Sequence, residues 1–306
     1  MDFKEFKETI KSEIPDYLLG YDIDRIELEN VKKNNGVEMT GLSIMLKNER
    51  ISPNIYLEYF YEKYRENGDM GAILNEIKDE YIKAREEISQ KGFDVDFKKE
   101  DIFMKVVNYE YNKEMFEYSP YIRVAPDLAI SFRVLANKDD DGIASTLLTY
   151  DLLEKMELSK SEVYELAKEN TERLFPARVE RLSDILQGME IDTTGMPSES
   201  MLYVVTNNAG VNGATAMCYE NILKDFKEQY GDFYILPSSI HEVLLLKMSK
   251  VQEGDLPEIK QMVKEINEFT VSPMEKLSDN VYEYDEKSNE IIIAGEQRHR
   301  EDFMER

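Results

Sequence analysis

The chain has 306 residues, of which 42% are hydrophobic and 33% charged, and its formal net charge at pH 7 is −25. This hydrophobic fraction excludes a disordered chain, and the acidic excess disfavours binding to nucleic-acid phosphates and to anionic membranes. One cysteine, Cys218, and two isolated histidines leave no disulfide and no predicted metal site, and no motif indicates a cofactor.

The first six residues mix charged and aromatic side chains. They lack the apolar stretch of a signal peptide, and no window of the sequence is apolar over the length of a membrane span. We therefore expect a cytoplasmic protein that has no membrane partner.

Residues 1–92 predict an N-terminal α+β unit. Apolar residues at helical spacing predict a first helix, which Pro15 closes. The turn sequence at 33–36 then joins two strands in a β-hairpin, with a bulge expected at Gly41 where the apolar alternation slips by one. Two amphipathic helices follow, separated by Gly68, which is suited to a left-handed cap.

Residues 93–190 predict a middle α+β unit. A strand is expected near residues 102–109, followed by a hairpin that joins 128–135 to 143–149. Ser159 and Glu162 form the capping-box pattern that begins an amphipathic helix.

Residues 191–306 predict a C-terminal α+β unit that ends in a charged tail. Strands are expected at 201–206, 233–236 and 243–247, with a helix over 213–230 and a final hairpin near the end. The predicted fold is therefore α+β, with antiparallel hairpins packed by amphipathic helices in two or three small units.

Two hydroxyls, an imidazole and a carboxylate lie close together in the segment 234–243. Ser239, His241 and Glu242 are the residue types of a hydrolase nucleophile with its base and acid. The alternative interpretation is structural: Ser239 and Glu242 have the spacing of a capping box, and His241 bonds to a backbone carbonyl. We favour the cap, because triad members usually come from separate elements.

A loop rich in asparagine and glycine follows the strand at 201–206. Its candidate ligand-binding residues are Asn207, Asn208, Gly210 and Gly213, because free backbone N–H groups at such a position can hold an anion. A tight turn that needs left-handed residues explains the same composition. The segment lacks the dinucleotide fingerprint and the P-loop lysine.

Asp127 is a further candidate ligand-binding residue. It precedes the apolar run 128–135, where a charged residue next to a buried strand is unusual. The alternative is that Asp127 caps a turn after Pro126.

Several segments together resemble a family from gut clostridia, the domain-of-unknown-function family 5688. The segment 235–243 is the most specific of them, and the others are 33–37, 41–42, 51–57, 107–110, 127–130, 170–171, 203–207 and 277–279. The resemblance implies a bacterial cytosolic protein and brings no activity with it.

The sequence alone does not reveal a function. We predict a cytosolic binding or regulatory protein that recognises a protein or a small-molecule ligand without catalysis. One alternative is a hydrolase-like enzyme that uses Ser239, His241 and Glu242. Another is an acidic decoy of a nucleic-acid-binding partner, which the net charge of −25 suggests.

Overall fold

A computed structural model describes residues 1–47, 49, 52–91, 97–139, 142–191, 201–237, 239–252 and 254–296. Within these ranges, no helix has the length and apolar character needed to cross a membrane. The chain divides into two compact units, Met1–Asp96 and Phe97–Arg306. The division into three units stays a prediction.

The first unit packs three helices against a three-stranded antiparallel sheet of order β1-β2-β3. Its elements are α1 (Phe3–Tyr17), β1 (Ile23–Lys32), β2 (Glu38–Leu46), β3 (Asn54–Tyr56), α2 (Leu57–Asn67) and α3 (Met70–Lys91). One apolar cluster forms the core, in which Phe6 and Ile10 of α1 meet Leu42 and Ile44 of β2. The amphipathic stripes read from the sequence thus face a single sheet.

The second unit contains six helices and ten strands among the described residues. They are β4 (Ile102–Asn108), α4 (Lys113–Phe116), β5 (Tyr121–Ala125), β6 (Leu128–Asp139), β7 (Gly142–Leu147), α5 (Tyr150–Lys155), α6 (Lys160–Leu174), β8 (Ala177–Arg181), α7 (Leu182–Gly188), β9 (Leu202–Asn207), α8 (Ile222–Tyr230), β10 (Phe233–Pro237), β11 (Val243–Lys247), α9 (Leu256–Thr270), β12 (Tyr282–Asp285) and β13 (Glu290–Ile293). The fold is α+β, as predicted.

The strands of this unit form two antiparallel sheets. Six strands run in the order β13-β12-β10-β11-β9-β8, while β4, β5 and β7 all pair with β6 in the other sheet. Strand β8 lies in the predicted middle unit and pairs with β9 of the predicted C-terminal unit. A single apolar cluster contains residues from both sheets.

The predicted helix over 213–230 is wrong at its first half. A 3-10 helix covers Gly213–Cys218, and α8 begins only at Ile222, after Asn221 in a left-handed conformation with φ 69°. The 3-10 helix is buried, with Ala214 and Ala216 inaccessible to solvent. The Ala214 amide donates to the Ile240 carbonyl at 3.2 Å, so this segment bonds to the turn before β11.

Strand β4 lies at an edge of its sheet, and two threonines cover that edge. The amide of Met104 donates to Thr171 Oγ1 at 2.8 Å, and the amide of Val106 donates to Thr215 Oγ1 at 3.0 Å. Unpaired N–H groups on an exposed edge strand can otherwise form hydrogen bonds with a strand of another chain. Both threonines are buried, so this edge is closed and the side chains of β4 are held in a fixed register.

Candidate functional site

A row of polar side chains crosses one face of the four-stranded sheet. Lys105 on β4 pairs with Ser131 on β6, and Ser131 pairs on its other side with Tyr121 on β5. Residues directly opposite each other on neighbouring strands point to the same face, so these three side chains lie in one line. Arg133 follows Ser131 by two residues and projects from the same face, diagonal to Lys105.

Lys105 and Arg133 form a pair of partly buried cations. The pKa of Lys105 is lowered to about 7, first by burial and then by the positive charge of Arg133. Burial also lowers the pKa of Arg133. Within the described part of the chain neither cation forms an ion pair, and no side chain hydrogen-bonds to the ammonium of Lys105. Two desolvated cationic residues thus lie on neighbouring strands of a protein whose net charge is −25.

Strand β7 fixes the orientation of the guanidinium group. Arg133 Nε donates to Ser145 Oγ at 2.8 Å, and Nη2 donates to the Ser145 carbonyl oxygen at 2.8 Å. A guanidinium has five N–H donors in one plane, so binding one residue on one side leaves other donors for a carboxylate or phosphate. Arg133 is therefore already oriented for such a group.

Glu275 is the acidic residue whose charge acts on Lys105. Its carboxylate raises the pKa of Lys105 and so partly opposes the effect of burial. Glu275 Oε1 also lies 3.4 Å from His241 Nε2. The other ring nitrogen, Nδ1, accepts a 3.3 Å hydrogen bond from the Asn212 amide, which places the ring proton of neutral His241 on Nε2, facing Glu275. Glu275 thus lies beside His241, and its charge favours the protonated form of Lys105.

Two segments that the sequence singled out separately hold His241 in place. The His241 carbonyl accepts from Thr206 Oγ1 at 2.8 Å, and the Ile240 carbonyl accepts from the Ala214 amide at 3.2 Å. The Ile240 amide in turn donates to the Glu275 carbonyl at 2.8 Å. The loop after β9, the turn before β11 and the segment that carries Glu275 therefore meet at one place.

Gly213 makes this close approach possible. A Cβ atom at this position would overlap Thr206 Oγ1 and the His241 carbonyl oxygen, and would lie 2.8 Å from the Asn207 amide nitrogen. Gly213, a predicted ligand-binding residue, thus lies against the backbone of His241. The sequence interpretation attributed the glycines of this loop to left-handed turns, whereas Gly213 is required by space.

The other candidates in the loop serve the turn itself. Asn207 is buried, its Nδ2 donates to the Val211 carbonyl at 2.9 Å, and its Oδ1 accepts from the Ala209 amide at 3.0 Å. Asn208 and Gly210 are exposed, and Gly210 has a φ of 64°. These contacts leave Asn207 no side-chain donor directed at the cation pair.

Ser239 does not begin a helix, so the predicted capping box is wrong. Strand β11 follows it, because Val243–Lys247 pairs with strands on both sides. Ser239 Oγ instead accepts from the His241 amide at 3.0 Å, and the Ser239 amide donates to the Glu242 carbonyl at 3.2 Å. These bonds are typical of a local turn motif.

The structure does not assemble Ser239, His241 and Glu242 as a catalytic triad. In the described residues no hydrogen bond joins the Ser239 hydroxyl to the imidazole ring. The acid next to the ring is Glu275, from a distant part of the sequence, and Glu242 contributes its backbone carbonyl to the turn. The bond pattern that would make Ser239 a nucleophile is therefore missing.

Asp127 anchors the segment that follows α9. Its Oδ2 accepts from Ser278 Oγ at 2.6 Å and from Asn280 Nδ2 at 3.1 Å, while its Oδ1 accepts from the Tyr282 hydroxyl at 2.7 Å. Three side-chain donors thus occupy the carboxylate. Asn108 of β4 binds the same segment through a 2.9 Å hydrogen bond to the Leu277 carbonyl. Asp127 thereby fixes the chain that carries Glu275 and does not join the cation pair.

Sequence reasoning missed Lys105, Arg133 and Glu275. A signal for the two cations was present, since each is the one charged residue of a mostly apolar six-residue run, IFMKVV or ISFRVL. A long cationic side chain in a strand that is apolar on both faces must be partly buried, and such a cation is rare unless it is paired. No local pattern distinguishes Glu275 from the other acidic residues.

Among the described residues, no group of three or more His, Cys, Asp or Glu side chains is arranged to hold a metal ion. A family model described as "Family of unknown function (DUF5688)" matches residues 3–286. No curated protein matches the chain, and no solved structure matches it.

Proposed function

The chain belongs to DUF5688, a family of unknown function, and we propose that it is a cytoplasmic binding protein whose second unit takes up a small anionic ligand at Lys105 and Arg133. The family resemblance found in the sequence motifs is confirmed. The proposal retains the prediction of a binding protein and assigns the ligand to Lys105 and Arg133.

One observation carries the proposal: two partly buried cations lie diagonally on neighbouring strands without an ion-pair partner among the described residues. An isolated buried charge is unfavourable because it loses its hydration without a compensating interaction. A carboxylate or phosphate between Lys105 and Arg133 supplies that interaction and forms charge-assisted hydrogen bonds with both. Binding then relieves the repulsion between the two cations.

The burial of Lys105 and Arg133 favours a small ligand over a macromolecule. Lys105 and Arg133 are only partly exposed, and each is flanked by buried apolar residues such as Phe103 and Phe132. The surrounding protein is strongly acidic, so it repels a polyanion at long range, while a small anion that reaches the cations is held by short-range contacts.

Thermal unfolding in the presence of small anions tests the proposal. Phosphate, pyruvate and citrate are titrated against the full chain, with sodium chloride added to a constant ionic strength. At about a hundredfold excess over Kd, a ligand specific for the folded state raises the melting temperature by roughly 5–10 °C. A saturable rise with at least one of these anions is the expected result.

Three variants test whether the rise in melting temperature depends on Lys105 and Arg133. Lys105→Gln and Arg133→Gln are expected to remove most of it, because each deletes one of the two charges. Lys138→Gln is the matched control, since Lys138 lies on the same strand as Arg133 but is exposed. The proposal fails if none of the anions stabilises the wild-type protein beyond sodium chloride, or if the two Gln variants respond like the control.

The two other functional hypotheses remain alternatives with less support. The hydrolase hypothesis lacks the bond between Ser239 and His241 that it needs. The decoy hypothesis depends on net charge alone, and a solvated acidic surface accounts for that charge without a partner.

A further inference from the structure

We propose that the second unit has a further ligand site, a cavity of about 810 Å³ that takes up a small amphiphile with an apolar body and an ammonium head. Residues of β5, β6, α6, α8 and β13 line this cavity. Neither Lys105 nor Arg133 is among them, so the site goes beyond the anion binding proposed above.

The floor of the cavity is apolar and belongs to the main core of the unit. The apolar residues that line it are Ile122, Val124, Ile130, Met217, Leu223 and Ile291. Four of them are buried members of the apolar cluster that contains residues from both sheets, and the two valine and isoleucine residues of β5 pack against it. An apolar ligand body therefore displaces water from these side chains, in a space of the size typical of small-molecule sites.

The edge strands of the two sheets come together beside this floor. Among the described residues β5 pairs with β6 alone and β13 pairs with β12 alone. Cα atoms of β5 and β13 approach each other within 8 Å. A peptide strand inserted between the two edges needs about 9.5 Å, twice the spacing of neighbouring strands. The spacing thus favours a small molecule over an added strand.

Exposed polar residues form the mouth of the cavity. They are Glu220, Asn221, Lys224, Glu286, Asn289 and Glu290. A buried apolar floor below a polar mouth matches a ligand with an apolar body and a polar head.

The two lysines that line the cavity each have an acidic partner. Lys168 Nζ lies 2.7 Å from Glu220 Oε2, and Lys224 Nζ lies 3.9 Å from Glu228 Oε1. An anionic head must compete with these carboxylates for the lysines, which disfavours an anionic ligand.

Arg123 also lines the cavity, but its charged end is bound to residues outside the lining. The guanidinium carbon lies 3.8 Å from the centre of the Tyr109 ring, and Nη2 donates to the Pro126 carbonyl. Neither Tyr109 nor Pro126 is a lining residue. Arg123 is therefore not available to an anionic head.

Two carboxylates at the mouth favour a cationic head. Glu286 and Glu290 lie on the hairpin of β12 and β13, and neither forms an ion pair within the described part of the chain. The charge of Glu286 acts on Lys227, whose ammonium is bound to Asp232 at 2.8 Å. An ammonium head at the mouth is therefore attracted by both carboxylates.

Aromatic residues and the net charge of the chain act in the same direction. Tyr164 and Tyr284 line the cavity, and ammonium groups bind favourably to aromatic rings. The net charge of −25 attracts cations and repels anions at long range.

Isothermal titration calorimetry of the full chain tests the proposal. The probes are decyltrimethylammonium, decanol and decanoate, which share a ten-carbon chain, and octyltrimethylammonium, all below their micelle-forming concentrations. We expect one site per chain, with decyltrimethylammonium the tightest. Octyltrimethylammonium is expected to bind about fifteenfold more weakly than the decyl compound, because each buried methylene changes Kd about fourfold.

A variant that fills the cavity locates the site. Val124→Trp places a large side chain in the lining and is expected to weaken binding of decyltrimethylammonium by roughly tenfold or more. Val179→Trp is the matched control, because Val179 also lies on an edge strand but is 39% exposed and does not line the cavity. Circular dichroism verifies that both variants fold.

A second pair of variants tests the preference for an ammonium head. The double change Glu286→Gln and Glu290→Gln is expected to reduce the ratio of decyltrimethylammonium affinity to decanol affinity severalfold, while decanol binding stays the same. Glu258→Gln with Glu265→Gln is the control, since it removes the same charge from exposed positions on α9.

The possible results separate the parts of the proposal. If none of the ten-carbon probes binds the wild-type protein, or if Val124→Trp binds like Val179→Trp, the cavity is not the site. If decanoate binds at least as tightly as decyltrimethylammonium, the cationic head is refuted. Should Val124→Trp fail to fold, the two double variants decide, and equal losses of ammonium preference in both would refute the site.

Discussion

The hydroxyl of Tyr282 donates a 2.7 Å hydrogen bond to the carboxylate of Asp127, from a position 155 residues later in the chain. Tyr282 is inaccessible to solvent. Its pKa is raised well above the ordinary value, first by burial and then by the negative charge of Asp127. The phenol therefore stays a donor over the whole working range of pH, and the bond joins the turn before β6 to the start of β12.

Tyr282→Phe is expected to lower the free energy of unfolding by about 1.5–3 kcal/mol, the usual range for a hydrogen bond to a charged group. The ring is retained, so no cavity adds to the loss. Urea denaturation gives the measurement. Tyr284→Phe is the matched control, because its hydroxyl donates to the neutral side chain of Asn289 at 2.7 Å, and about 0.5–1.5 kcal/mol is expected there. Equal losses in the two variants would contradict the special role of Asp127.

Lys105→Met is expected to stabilise the protein at low pH and to do so less at high pH. The folded-state pKa of Lys105 is about 7, against an ordinary value of 10.5, so between these values the unfolded chain holds a proton that the folded protein lacks. Stability from this group therefore rises with pH across that window. Below pH 7 the folded protein carries the unfavourable buried charge in full, with Arg133 repelling it and Glu275 attracting it.

The difference in unfolding free energy between Lys105→Met and wild type checks this sign. At pH 6 a gain of at least about 1 kcal/mol is expected, the free energy of one pKa unit, and the gain shrinks as the pH approaches 10. The exposed Lys138→Met variant is expected to show no such trend. A gain for Lys105→Met that grows with pH would refute the assignment.

Gly213→Ala is expected to destabilise the second unit by about 1–3 kcal/mol, because the added methyl group meets backbone and a short hydroxyl side chain that cannot move away. Gly188→Ala is the control. It lies at the end of α7 with no atom within 4 Å of the added carbon, so a neutral or slightly stabilising effect is expected. Thermal melts compare the stabilities of the two variants. Equal melting temperatures would show that the turn containing His241 moves aside for the added methyl group at little cost.

Cys218 is expected to react slowly with iodoacetamide at pH 8. Burial raises the pKa of its thiol to about 12, and the thiolate is the reactive form. We expect a rate at least about tenfold below that of free cysteine, restored in denaturant. Mass spectrometry over time measures it. If Cys218 reacted with iodoacetamide as fast in the native protein as in denaturant, its thiol would be exposed to solvent and the expectation would be wrong.

Local signals in the sequence predicted much of the fold. The turn at 33–36 joins β1 to β2, with Asn35 and Gly36 in left-handed conformations. Gly68 ends α2 with a φ of 69°, and Ser159 with Glu162 forms the predicted capping box. Each of these features is decided by the conformational preferences of a few adjacent residues, which is why the sequence alone is sufficient.

Features decided by distant residues were predicted less well. No bulge occurs at Gly41, which pairs regularly with Glu29, because Thr40 shares the buried face with Leu42 and Met39 lies on the other. The expected slip came from counting Met39 as a core residue. The Asn54 side chain packs on Gly41 from β3, a contact that the pattern of β2 does not reveal.

The candidate site shows the same limit more strongly. His241 was identified from its neighbours Ser239 and Glu242, yet its acid partner is Glu275. Only the pairing of β4 with β6 brings Lys105 beside Arg133. Residue types and short spacings carry no information on which strands become neighbours.

The bond between Asp127 and Tyr282 can form only after both residues have been synthesised. Asn108 donates to the carbonyl oxygen of Leu277, which lies 169 residues later in the chain. Two hydrogen bonds that anchor the sheet around β6 therefore need residues from the last part of the unit. Met1–Asp96 forms a compact unit of its own and can fold while the ribosome still makes the rest. Until Tyr282 has been synthesised, the apolar strands of the second unit lack these two hydrogen bonds, so the stable packing of its sheets depends on contacts of high sequence separation.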